Sequence, residues 1–125
     1  MAKNCPFCNI KEDIKITSNN LAFIIEDIYP VTKHHSLIIP NRHFENFFDI
    51  TDQELLAINQ LIKQRREQIL SEDPTVKGFN VGINIGEVAG QSIFHLHIHL
   101  IPRRSGDLEN PKGGVRGIIP EKRNY

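Results

Sequence analysis

The chain has 125 residues, 39% hydrophobic and 24% charged, with 15 basic residues against 15 acidic ones and a formal net charge of zero when histidine is neutral. That length is one domain, able to bury a core without disulfides. The balanced charge argues against a DNA- or RNA-polymer binder, which carries a basic face. No run of 18 apolar residues occurs, so no membrane span is expected. The N-terminal MAKNCPFCNIKED also lacks the apolar stretch of a signal peptide, and the expected location is the cytoplasm.

The chain opens on a thiol pair, Cys5 and Cys8. In a reducing compartment such a pair is a metal half-site, a redox motif or an inert pair rather than a structural disulfide. IKITSNNLAFIIEDIYP then reads as a hairpin, with turn chemistry at Ser18-Asn19-Asn20 and Pro30 as its end. HSLIIP, residues 35–40, is a short third strand stopped by Pro40.

FDITDQELLAINQLIKQRREQILSEDP predicts a helix of about five turns. Thr51 is its N-cap and Glu54, three residues on, completes a capping box. Ile50 is placed to staple against Leu55. Leu55, Ile58, Ile62 and Ile69 keep to one face, and the run 63–68, KQRREQ, is expected to face solvent. GFNVGINIG alternates with period two, which sets Asn80, Gly82 and Asn84 on one face.

After the EVAGQS loop, IFHLHIHLIP reads as a fifth strand. Leu96, Ile98 and Leu100 turn to the core, and His95, His97 and His99 share the open face. Residues 103–125, rich in Gly, Pro and charge, form a C-terminal extended arm of the single domain 1–125. Without regular crossover helices, the fold class is α+β. The expected architecture is a roughly five-stranded antiparallel sheet with one long helix and a short helix.

Alternate residues of a strand lie about 6.8 Å apart, so His95 and His99 are about 13 Å apart. One ion with bonds near 2.1 Å cannot hold all three without strain. A division of labour fits better: one end for a metal, the rest for chemistry. The bland alternative is a set of polar core or surface histidines. An imidazole near neutral pH attacks phosphorus or carries a proton, and neighbouring imidazoles donate hydrogen bonds to phosphate oxygens. The cysteine pair needs two more ligands to make a zinc site, and all six histidines are candidates.

His95-Leu-His97-Ile-His99-Leu-Ile resembles the histidine triad motif. The likeness extends over CPFC, the hairpin, PVTKHHSLIIPNRH, the long helix and NVGINIGEVAGQS. PRRSGDLENP after the triad is similar to the branch holding the fragile histidine triad protein and dinucleoside polyphosphate hydrolases. The resemblance implies that His97 is the nucleophile, attacking the α-phosphorus of a nucleotide to form a nucleotidyl-imidazole that water then hydrolyses. It implies that His99 and His35 flank the α-phosphate. Asn84 and the Gly90-Gln91-Ser92 loop would meet the phosphate and leaving group. Asp27 would hold ribose hydroxyls, a role suited to an acceptor-only group. Phe7, Ile10, Phe23 and Ile25 would wall a base pocket or simply build the core.

The resemblance further implies a closed zinc site of Cys5, Cys8, His43 and His95, structural rather than catalytic, with no organic cofactor. His34 falls outside the machinery. Arg103 and Arg104 would either reach outer phosphates or lie on the surface. The implied activity is hydrolysis of a dinucleoside polyphosphate resembling diadenosine tetraphosphate. The alternatives are an adenosine phosphoramidase or AMP-conjugate hydrolase, a dinucleoside polyphosphate phosphorylase, or a nucleotide-binding signalling protein. The implied partners are a small nucleotide and a second copy of the chain in a homodimer.

Overall fold

The structure is a computed structural model that describes residues 4–124. Its centre is a five-stranded antiparallel sheet in the order β1-β2-β3-β5-β4. The strands are β1 (Thr17–Ser18), β2 (Ala22–Glu26), β3 (Ser36–Pro40), β4 (Val76–Gly82) and β5 (Ile98–Arg104), and the helix α1 spans Asp52–Glu72. The fold class read from the sequence is therefore the one observed. The remaining helical pieces are 3₁₀ turns, among them Glu12–Ile14, whose last residue was expected to open the hairpin, and Gly114–Ile118 within the expected arm. Among the described residues no helix is long and apolar enough to cross a membrane.

Each face of the sheet buries its own layer. On one side Ile58, Leu61 and Ile69 of α1 pack on Ala22, Ile24, Ile38, Ile98 and Leu100. On the other, Cys5 and Phe7 of the N-terminal knuckle pack on Phe23, Ile25, Leu37 and Ile39. The alternation in β2, β3 and β5 divides these sets. Hence Leu96, Ile98 and Leu100 lie on the helix side as expected, with exposures of 0, 3 and 1%. His99, opposite Leu37 in register, lies on the knuckle side. The candidate base-pocket walls Phe7, Phe23 and Ile25 are buried in this second layer.

The helix begins as its sequence dictates. Thr51 accepts from Glu54 N–H at 3.1 Å, and Glu54 accepts from Thr51 N–H at 3.0 Å. Arg42 adds two hydrogen bonds to the buried Glu54 carboxylate and holds its pKa below the ordinary value. The helix face needs correction. The residues it buries are Glu54, Ile58, Leu61, Arg65 and Ile69. Arg65, expected in solvent, is 4% exposed, while Leu55 is 44% exposed. Leu55, Leu56 and Ile62 instead border an apolar groove of about 400 Å³ with Phe47, Val81 and Ile83, on the helix side of the sheet.

The fifth strand also starts later and ends later than expected. Ile98 pairs with Ile38, so two residues further the same register would pair Leu96 with Pro40. Proline has no N–H to extend the ladder. Leu96 N–H turns to the Phe44 carbonyl at 2.7 Å instead. At the other end the strand continues through Pro102, because pairing with β3 has stopped at Leu100 and only β4 remains alongside. Arg103 and Arg104, expected as the start of the arm, are its last two residues.

Candidate functional site

Two side-chain clusters stand on the knuckle side of the sheet, one at each end of the histidine run. The first joins Cys5, Cys8, His43 and His95, whose ligand atoms all lie within 4.8 Å of one another. His95 is fully buried, so it does not share an open face with the other two as the alternation suggested. Its chain segment precedes the ladder, and its ring Nε2–H donates to the Pro40 carbonyl at 2.8 Å. A carbonyl only accepts, so the proton sits on Nε2 and the Nδ1 lone pair is left for the cluster. That lone pair is 3.4 Å from Cys5 Sγ, 3.6 Å from Cys8 Sγ and 3.2 Å from His43 Nδ1, while Cys8 Sγ is 3.2 Å from His43 Nδ1.

These distances test whether zinc fits. Bonds of about 2.05 Å to nitrogen and about 2.3 Å to sulfur put tetrahedral neighbours about 3.3 Å apart for two nitrogens and about 3.6 Å for nitrogen and sulfur. The observed edges match this within a few tenths of an ångström. The carbonyl behind His95 is the partner that orients a ligating imidazole. Two thiols and two imidazoles make four protein ligands, which leaves no place for water.

The second cluster joins Asp27, His35 and His99. His35 Nε2 lies 2.9 Å from His99 Nδ1 and 3.5 Å from Asp27 Oδ2. By residue type this is also a metal-ligand set. The backbone decides otherwise. Val31 N–H donates to His35 Nδ1 at 3.0 Å. An N–H only donates, so Nδ1 carries the lone pair and the neutral ring is protonated on Nε2. His35 Nε2–H then donates to His99 Nδ1, which places the remaining proton of His99 on Nε2. The cluster is a one-way chain of donors rather than a cage of lone pairs. Burial lowers the pKa of His35 against the opposing pull of Asp27. It pushes His99 down to about 4, helped by His97 and His35. Both shifts favour the neutral ring.

His97 stands between the clusters. Its Nδ1–H donates to the His95 carbonyl at 2.8 Å, which frees the lone pair of Nε2. Its ring packs against Phe7 at 5.0 Å and His99 at 5.2 Å between centroids.

The β4 side supplies the remaining expected residues. Gly82 pairs with His99, so Asn80 and Gly82 face the site as the alternation indicated. Asn84 lies two residues beyond the last pair of this ladder, Gly82 with His99. Asn84 is exposed, with its side chain beside Gly90. Gly86 and Gly90 turn this loop with φ of 89° and 99°, values that glycine tolerates. Ser92 is exposed on the same loop.

Gln91 is turned into the protein. It is 5% exposed, accepts from Gly86 N–H at 2.9 Å, and donates to the Glu45 and Ile93 carbonyls at 3.1 and 3.3 Å. These three bonds make the Gln91 amide a brace of the loop. Arg103 is tied to Asp107 and Asn80, and Arg104 to Asp73, Thr75 and the Lys33 carbonyl. Three participants escape sequence reasoning: Val31 N–H and the carbonyls of Pro40 and His95. Backbone groups carry no residue signature.

A family model described as HIT domain matches residues 9–106. A crystal structure of a HIT family protein from Bacillus anthracis superimposes with a TM-score of 0.77 at 36% identity, covering 86% of this chain and 78% of that one. A zinc-bound histidine triad family protein from Mycobacterium smegmatis gives a TM-score of 0.75 at 28% identity, with 86% and 80% covered. An AP-4-A phosphorylase from Mycobacterium tuberculosis is 30% identical over 103 residues, which are 82% of this chain and 52% of that protein.

Proposed function

The chain belongs to the HIT domain family, and from that premise we propose that it is a nucleotide hydrolase or transferase using His97 as its nucleophile. The observation that carries this reading is the direction of hydrogen bonding around His97. Its Nδ1–H is held by the His95 carbonyl, so the Nε2 lone pair attacks the α-phosphorus of a bound nucleotide. The P–N bond forms as the P–O bond to the leaving group breaks, and the leaving oxygen takes the electron pair. Water then attacks the same phosphorus, breaks the P–N bond and releases a nucleoside monophosphate.

His99 Nε2–H faces the transferring group because His35 occupies its Nδ1. It donates to a phosphoryl oxygen as charge develops there. His35 sets that tautomer, and Asp27, Asn84 and Ser92 bind the nucleotide. We take the substrate to be a dinucleoside polyphosphate. The likeness to an AP-4-A phosphorylase also favours a second reading, in which inorganic phosphate replaces water as acceptor; this chain spans about half of that relative. A zinc ion held by Cys5, Cys8, His43 and His95 would supply a structural cross-link between the knuckle and the histidine segment, and the active protein would be cytoplasmic.

A panel of diadenosine polyphosphates and adenosine phosphoramidate, each with water alone and with added phosphate, tests the reading. We expect release of AMP from a dinucleoside polyphosphate, or of ADP when phosphate is the acceptor. No turnover of any member would overturn it. The active unit is proposed as a homodimer, with a second copy covering Leu55, Leu56 and Val81 at the β4 edge, exposed by 44, 69 and 49%. Leu56→Lys is expected to shift the sedimenting species to monomer at micromolar concentration, and a monomeric wild type would refute the dimer.

A further inference from the structure

The guanidinium of Arg65 is buried and has no part in the reaction proposed above. It lies midway along α1, on the opposite side of the sheet from His35 and His99. Its Nε donates to Ser36 Oγ at 2.9 Å, and its Nη2 lies 3.5 Å from Glu26 Oε1. Ser36, 0% exposed, passes the interaction on: its hydroxyl donates to the His34 carbonyl at 2.8 Å. The directions are fixed, because a guanidinium only donates, a carbonyl only accepts and a hydroxyl does both. Taking a cation out of water is unfavourable. Burial lowers the pKa of Arg65, opposed by Glu26 and Glu72. Such a side chain is better understood through the geometry it enforces than through net stabilisation.

That geometry converges on His34. Among the described residues it is the only non-glycine with a positive φ, 74°. A Cβ makes this left-handed conformation unfavourable. The turn it belongs to is closed by His35 N–H on the Thr32 carbonyl at 3.1 Å. The same turn places Val31 N–H on His35 Nδ1. The strained residue therefore sits between the strut and the contact that decides the His35 tautomer.

We propose that Arg65 and Ser36 are positioning residues that hold His34 in its left-handed conformation from the helix side and so keep Val31 N–H against His35. Through His35 they orient the proton that His99 presents. The functional part of this rests on the roles proposed above for His35 and His99.

The test uses the full chain without substrate and reads the ring ¹⁵N shifts of His35 and His99, with kcat, KM and melting temperature measured alongside. The wild type is expected to show one His35 tautomer, protonated on Nε2. Ser36→Ala is expected to give a tautomer mixture and to lower kcat about tenfold with KM within about twofold, as small misplacements at a reacting centre do. Glycine adopts positive φ unaided. Adding His34→Gly to Ser36→Ala is therefore expected to restore the single tautomer and most of kcat. Arg65→Met should follow Ser36→Ala, and Arg65→Lys, which keeps a donor, should fall closer to wild type.

The proposal is overturned if Ser36→Ala keeps the wild-type ring shifts, whatever its melting temperature. In that case the bonds from Thr32 to the Pro102 carbonyl and from Arg104 to the Lys33 carbonyl hold the turn without it. It is also overturned if His34→Gly gives no rescue. A wild type inactive on every nucleotide would sink the proposed reaction, while the ring shifts would still decide the strut.

Discussion

The two clusters on the knuckle side each join two histidines to other ligand-type groups, with all ligand atoms of a cluster within 4.8 Å of one another. They differ in what stands behind the rings. Behind His95 is a carbonyl, which accepts from Nε2–H and leaves the Nδ1 lone pair facing inward. Behind His35 is an N–H, which takes the Nδ1 lone pair and turns a proton inward. The first arrangement suits a cation, and the second suits a phosphoryl oxygen reached through His99. Residue type alone does not separate metal chemistry from proton chemistry; the backbone partner of the remote nitrogen does.

The largest expected effect comes from removing the ring that stands between the clusters. His97→Ala is expected to lower kcat by at least about 10⁴-fold while bound zinc, measured by elemental analysis, stays at the wild-type level. Equal turnover in the variant would break the division of labour. Loss of zinc along with activity would mean that the two clusters are not separable.

The next effect concerns the cluster of Cys5, Cys8, His43 and His95. Chelation, or His43→Ala, is expected to abolish zinc binding and to make the melting temperature depend on added zinc. A metal present at a thousandfold its Kd contributes about 4 kcal/mol. An unchanged melting temperature on chelation, with no zinc found in the purified protein, would remove the structural role.

A smaller effect should appear in the pH dependence of stability. Burial, chiefly, pushes the folded pKa of His99 down to about 4 from its ordinary value of 6.5. Below pH 6.5 the unfolded chain therefore binds a proton that the folded chain refuses. The stability is fully present above pH 6.5 and is lost as the pH falls toward 4. His99→Gln cannot titrate, so its stability should fall less steeply than that of the wild type over this window, both followed by chemical denaturation. A steeper fall in the variant would contradict the direction of the shift.

Much of this arrangement was legible because side chains carried it. The capping box of Thr51 and Glu54 fixed the start of the helix, and the alternation around His97 and His99 fixed their side of the sheet. Physics that residue type does not encode was not legible. Arg65 reads as part of a solvated charge run, yet three-dimensional packing places it under Ser36. The fifth strand reads as starting at Ile93, yet Pro40 on the neighbouring strand has no donor to meet it. Gln91 reads as a ligand contact, and nothing in its residue type shows the three internal bonds by which it braces the loop. The tautomers of His35, His95 and His97 depend on main-chain groups, which any sequence supplies at every position.

The most direct test of the account is to look for the covalent intermediate on His97. The enzyme is mixed with a diadenosine polyphosphate, quenched in base within the first turnovers, where a phosphorus–nitrogen bond to imidazole survives, and mapped by mass spectrometry. The account predicts an adenylyl group on His97, its amount rising and falling with turnover, and absent from His99 and His35. Turnover with no adduct at His97, and with inversion rather than retention of configuration at the α-phosphorus, would contradict it.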